Sequence, residues 1–291
     1  MIEADKEKLY AHVDFLTGIK PPRNYRNIDS LNNVADYIRG EMEDISCFLQ
    51  EQPFQVSGQT YRNIIGSVGP RQAPRIILGA HYDVAGDQPG ADDNASAVAG
   101  LLETARLLVP WDKKIKKRID FVAYCLEEPP FFGTASMGSA VHAESLQQEN
   151  VEVEFMIGYE MIGFFSDEVG SQSYPGVDLD VTYTDKGDFI IVVGIERYAG
   201  LAGRLASLMQ KHAQIRVESV DFPAPGGLVS LSDHKCYWDC DYPAVMLTDT
   251  SFLRNPHYHQ VTDTIDTLDF ERMKEVINGV AGALIDISQN E

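Results

Sequence analysis

Residues 75–109 read "RIILGAHYDVAGDQPGADDNASAVAGLLETARLLV", and the pattern changes twice along them. "RIILGA" (75–80) is a short continuous apolar run, as expected of a strand buried on both faces. After Asp93, the residues Val98, Leu101, Leu102, Ala105, Leu108 and Val109 fall on one stripe at helical spacing. Between strand and helix lie one histidine, His81, and four aspartates, Asp83, Asp87, Asp92 and Asp93. No Lys or Arg occurs from 76 to 105. Carboxylates crowded without a basic partner can protonate, with raised pKa values, or bind metal.

The same alternation continues outward from this unit. Residues 3–17 and 28–43 read as helices, and 45–56 and 61–69 as strands of an edge hairpin. "RIDFVAYCL" (118–126), "FMIGYEMIG" (155–163), "DFIIVVGIE" (188–196) and "YPAVMLT" (242–248) read as further buried strands. Helices are expected near 198–214 and over 269–288. No repeat, low-complexity tract or Pro/Gly/Ser linker interrupts the pattern. The expectation is an α/β fold: a single domain over 1–291, with a central mixed, mostly parallel sheet flanked by helices on both faces.

Composition narrows the function. The 44 acidic and 24 basic residues leave a net charge of -20. A nucleic acid would be repelled, whereas metal ions and free amines would be favoured. The first residues, "MIEADKEKLYAHVDFL", lack the basic start and apolar stretch of a signal peptide, and no window reaches the apolar length of a membrane span. Taken as given, the chain reads as cytoplasmic with no membrane partner; a trimmed signal would make it secreted. The oligomeric state is not legible. Cys47, Cys125, Cys236 and Cys240 are too few for a disulfide scaffold and read as ordinary thiols, a local Cys236–Cys240 bridge being the less favoured case.

Polar residues close each apolar run. His81 and Asp83 follow "RIILGA", Glu127 and Glu128 follow "RIDFVAYCL", and Glu160 sits toward the end of "FMIGYEMIG". Ligands of open α/β sheets bind beyond the carboxyl ends of strands. Asp92 and Asp93 could be plain helix caps. That account does not cover five further polar groups converging on one edge. Downstream, His257 and His259 alternate in "NPHYHQVTDT" and would face one side if extended. Histidine with acids favours zinc, whose ligands are imidazole nitrogen and carboxylate oxygen.

"HYD" (81–83), "GADDNAS" (90–96), "EE" (127–128), "YEMIG" (159–163) and "YHQVTDT" (258–264), in that order, resemble the zinc aminopeptidase family that also contains glutamate carboxypeptidase and glutaminyl cyclase. The resemblance spans roughly 63–285. It implies two zinc ions per chain, with Asp93 between them. His81 and Glu160 would complete one ligand set, and Glu128 and His259 the other. Glu127 would be the general base, Asp83 the partner of His81's second nitrogen, and Tyr258 a substrate-binding group near the oxyanion. The Asp93–Asn94 peptide would be cis. Residues 81–92 are too short for the extra apical domain that some relatives insert there. Where the family more often has Asp, this chain has Glu160, with Asp167 or Glu168 as the competing ligand. The activity implied is an exopeptidase acting on a peptide with a free N-terminus. The alternatives are a one-zinc glutaminyl cyclase or an inactive binding protein of the same fold. "SDH" (232–234) is too compressed for a serine triad and is expected to position a loop, while Phe131, Phe132 and Tyr174 are candidates for a pocket wall.

Overall fold

The structure is a computed structural model that describes residues 2–45, 47–174 and 183–289; Ser46, inside the first expected strand, lies outside them. Its strands are β1 (Phe48–Val56), β2 (Gln59–Val68), β3 (Arg75–His81), β4 (Arg118–Tyr124), β5 (Val153–Glu160), β6 (Phe189–Ile195), β7 (Arg216–Phe222) and β8 (Ala244–Thr248). They form one eight-stranded sheet in the order β1-β2-β4-β3-β5-β8-β6-β7. The pairs β3–β4, β3–β5, β5–β8 and β6–β7 are parallel; β1–β2, β2–β4 and β6–β8 are antiparallel. The fold is thus the mixed, mostly parallel α/β sheet expected from the sequence.

The helices are α1 (Lys6–Gly18), α2 (Ile28–Asp44), α3 (Ala97–Leu108), α4 (Gly138–Gln148), α5 (Leu201–Met209), α6 (His234–Asp239) and α7 (Phe270–Gln289). Side chains alternate across a strand, so each central strand feeds two cores. Ile76 and Leu78 of β3, Ile119 and Phe121 of β4, and Phe155 and Ile157 of β5 join the larger core under α1, α2, α3, α5 and α7. Ile77, Val122, Tyr124 and Met156 point the other way, against Ala143 and Leu146 of α4 and Tyr237 and Trp238 of α6. The continuous apolar runs follow from this double burial. Among the described residues, no helix is long and apolar enough to cross a membrane.

Three elements were not anticipated. β7, "RVESVDF", is an edge strand with half-exposed side chains, so its polar residues mask the strand pattern. α4 and α6 bury short, mixed faces that include His142, His234 and Tyr237. The expected helix at 198–214 is shorter: Gly200, at φ 89, opens α5 and Gln210 closes it.

Candidate metal centre

β3, β4, β5 and β8 run parallel and end along one edge, with β3 between β4 and β5. His81 is the last residue of β3, Glu160 the last of β5, and Glu127 and Glu128 lie just beyond β4. Asp93 stands at the turn into α3, where the Asp93–Asn94 peptide is cis. His259, at φ 56, reaches in from the loop after β8. All except His259 are buried.

Their tips converge. His81 Nε2 is 3.5 Å from Asp93 Oδ1, 3.4 Å from Glu160 Oε2 and 3.8 Å from Glu127 Oε2. His259 Nε2 is 3.0 Å from Asp93 Oδ2 and 3.4 Å from Glu128 Oε2. Two donor sets therefore share Asp93: His81–Asp93–Glu160 and Asp93–Glu128–His259, each with ligand atoms within 4.8 Å of one another. Donors at about 2.1 Å from a tetrahedral zinc stand about 3.4 Å apart, close to these separations. Glu127 belongs to a third set, with His81 and Glu128, which leaves Asp93 out. Neither ring nitrogen of His81, nor Glu128 Oε1, has a hydrogen-bond partner among the described residues. Buried polar atoms are rarely left so. These imidazole and carboxylate donors fit a divalent cation of the zinc type.

Electrostatics point the same way. Burial alone would lower the pKa of His81, but the carboxylates of Glu127, Glu160 and Asp83 override it and hold it well above its ordinary value. For His259 the bonds to Asp93 and Glu128 outweigh burial and raise it to about 10. Burial, reinforced by Asp93, pushes Glu128 up to about 7, and burial with Glu128 and Glu160 nearby raises Glu127 well above its usual range. The site is short of positive charge.

Neighbouring residues fix this edge through the backbone. The Asp83 carboxylate accepts from the amides of Glu127 and Glu128, both at 3.1 Å. It lies 3.5 Å from His81 Nδ1, long for a hydrogen bond, so in this arrangement it orients the Glu127–Glu128 pair more directly than the imidazole. Asp263 does the same for the amides of Asp92 and Asp93, at 2.9 and 3.1 Å. Asp92 is no helix cap. It accepts from the Gly163 amide and from Asn255 Nδ2. The Asn94 side chain accepts from the Met161 amide and donates to the Tyr159 carbonyl, and Ser96 accepts from the Ile162 amide. The side chains of "DDNAS" thus hold the exit of β5, which carries Glu160.

The remaining candidates divide. Ser232 Oγ donates to Glu160 Oε2 at 2.7 Å, whereas His234 Nε2 bonds the Val229 carbonyl, so "SDH" forms no triad. Asp167 is exposed and paired with Arg272, and Glu168 is exposed, so neither competes with Glu160. His257 bonds Thr262 Oγ1 and stays outside the cluster. The Tyr258 ring stacks on His259 at 3.8 Å. A cavity of about 330 Å³ opens beside Glu160 and Tyr258, lined by Ile191, Val193, Met246 and Phe252. Tyr174 lines it, as expected, but Phe131 packs on Tyr25 and the larger core instead, and Phe132 is not among the lining residues. All four cysteines are free and buried.

Comparison with known proteins adds the wider context. A family model described as peptidase family M28 matches residues 63–284. The chain is 43% identical over 290 residues to the uncharacterized protein YfbL of Escherichia coli (strain K12), covering 95% of this chain and 87% of that one. A zinc aminopeptidase of Bacillus subtilis superposes with a TM-score of 0.77 at 14% identity, covering all of this chain and 97% of the other. A glutaminyl cyclase of Bacteroides thetaiotaomicron, bound to N-acetylhistamine, gives 0.69 at 20% identity, covering 99% of each. Those two likenesses are of fold. The chain spans only about half the length, 54%, of a probable leucine aminopeptidase of Trichophyton verrucosum that it also matches.

Proposed function

This chain belongs to peptidase family M28, and from that premise we propose that it is a zinc-dependent aminopeptidase removing the first residue of peptides with a free N-terminus. The observation that carries the reading is the pair of donor sets sharing Asp93, with Glu127 beside them and an apolar cavity at their flank. His81, Asp93 and Glu160 would hold one ion, and Asp93, Glu128 and His259 the other. When bound, zinc supplies Lewis acidity and lowers the pKa of a water.

The chain's own groups do the rest. Glu127 takes the proton of the attacking water and passes it to the departing amine. The Asp83 carboxylate, holding the amides of Glu127 and Glu128, keeps the base and its neighbour in fixed relation. The substrate's ammonium is drawn to the surplus of carboxylates, and its first side chain enters the cavity past Tyr258, where Ile191, Val193, Met246 and Phe252 favour an apolar group. Tyr258, whose ring stacks on His259, would bind the substrate near the oxyanion. The catalytic unit is taken as one domain over 1–291, without an inserted apical domain.

A panel of aminoacyl-anilides, with and without a chelator, tests this. Turnover of apolar anilides, lost with chelator and restored by zinc, is expected; N-acetylated substrates should not react. Two donor sets favour a hydrolase over a one-zinc cyclase. Cyclisation of glutaminyl peptides without anilide turnover would reverse that preference, and no turnover of either kind would indicate an inactive binding protein.

A further inference from the structure

Residues 76–105 contain no Lys or Arg, yet the two ends of the loop from His81 to Asp93 bond a buried guanidinium. It comes from Arg23, in the N-terminal segment before the family-matched region. Arg23 is 2% exposed. Its Nε donates to the Tyr82 carbonyl at 2.9 Å, its Nη1 to the carbonyls of Leu16 at 3.1 Å and Pro89, and its Nη2 to that of Gly90 at 2.6 Å. Three of these four acceptors stand at the two ends of the 82–90 loop. Along the middle, the Val84 amide donates to the Arg23 carbonyl at 3.1 Å and Asn24 Nδ2 to the Gly86 carbonyl at 2.6 Å. Arg26 adds an exposed pair with Asp87. Gly90 makes room for the fork: at φ 64, a Cβ there would fall 2.3 Å from the Asp93 carbonyl oxygen and 2.9 Å from Arg23 Nη2.

Charge adds to geometry. The Arg23 cation interacts with Asp263, Asp93, Asp83 and Glu128, the groups that make up or orient the donor sets. Only a planar fork of fixed charge can bond these diverging carbonyls at once; a lysine offers one point of attachment. We propose that Arg23 is a positioning residue of the metal centre: bonded to both ends of the 82–90 loop, it sets the spacing of His81 and Asp93 from outside the family-matched region. This rests on the metal-centre reading above. Partners outside the ligand shell typically set metal affinity by about 10–100-fold.

The test is zinc titration of the full chain against a chromophoric chelator, with metal-free thermal unfolding recorded for each variant. Failure of the wild type to bind zinc would defeat the metal-centre reading itself. Given wild-type binding, Arg23→Met should fold yet bind zinc about 10–100-fold more weakly. Arg23→Lys, which keeps the charge but not the fork, should lose most of the same affinity. Millimolar guanidinium should restore binding to Arg23→Ala, a rescue that general destabilisation would not give. Arg26→Ala, which cuts only the exposed pair, should bind like wild type. Wild-type affinity in a folded Arg23→Met, or in Arg23→Lys, would overturn the proposal. Should Arg23→Met not fold, Asn24→Ala reads the same strap: weaker binding in a folded variant supports the proposal, and unchanged binding overturns it.

Discussion

Buried histidines on the α4–α6 side of the sheet and at the carboxyl edge of its strands are pushed in opposite directions. His142 and His234 lie on the side covered by α4 and α6, where burial lowers both to about 4. His142 is satisfied without charge: its Nδ1 is bonded to the Tyr237 hydroxyl at 2.6 Å, and that hydroxyl to Tyr124 at 2.6 Å, while His234 Nε2 is bonded to the Val229 carbonyl. His81, equally buried, is driven well above its ordinary value by the acids facing it. Burial is common to both groups, so burial does not decide. The difference is the surplus of carboxylate at the strand ends, and it shows that this edge is built around a positive charge that the ordinary side chains do not fully supply. The histidine layer, by contrast, is structural.

The largest test of that contrast is removal of metal. Chelation should abolish turnover and leave the fold intact by circular dichroism; a chelated protein that still hydrolyses anilides would break the comparison. Next, Glu127→Gln should lower kcat by about 10²–10⁴-fold while elemental analysis still finds the wild-type zinc content. Zinc lost from that variant would mean that Glu127 ligates, as its membership of the third donor set allows. Ser232→Ala removes the 2.7 Å bond to Glu160 and should weaken one zinc by about 10-fold. Equal affinity would show that Glu160 is held by its strand alone.

The last test belongs to the histidine layer, does not touch activity and concerns stability. Folded His142 stays neutral down to about pH 4, whereas its ordinary value is 6.5. Between those values the unfolded chain binds the extra proton, so stability is complete above 6.5 and falls as the pH falls toward 4. The slope is at most about 1.4 kcal/mol per pH unit for one proton. In urea unfolding, His142→Gln should flatten this decline relative to wild type. Parallel curves would show that folding leaves the His142 pKa unshifted, and a steeper decline in the variant would place His142 with the charged group.

What could be read from the sequence divides along a physical line. His81, Glu127, Glu128 and Glu160 announce themselves because each ends or follows an apolar run, and side-chain type matters at a ligand position. His259 follows from its motif. Arg23 escaped notice because its partners are carbonyls of Leu16, Tyr82, Pro89 and Gly90, and a carbonyl carries no residue identity. Asp263 has no task legible in the sequence, since its partners are amides. Asn94 and Ser96 are equally silent, because they bond the backbone of β5 and the residues after it. Edge strand β7 was missed because exposure on the sheet rim permits polar residues at positions a central strand would fill with apolar ones.

The strand order also dictates when the site can exist. β8 is the last strand in the chain, yet it lies between β5 and β6. Until it is made, β5 has an open edge and the β6–β7 pair has no sheet to join. Contacts so distant in sequence form slowly and leave edges exposed meanwhile. Its insertion joins the halves, and the loop that follows delivers Tyr258 and His259 to the acids already waiting on β3, β4 and β5. Insertion of β8 and completion of the second donor set are therefore tied to one stretch of chain. A nascent or arrested chain lacking β8 would be both aggregation-prone and unable to assemble the second donor set.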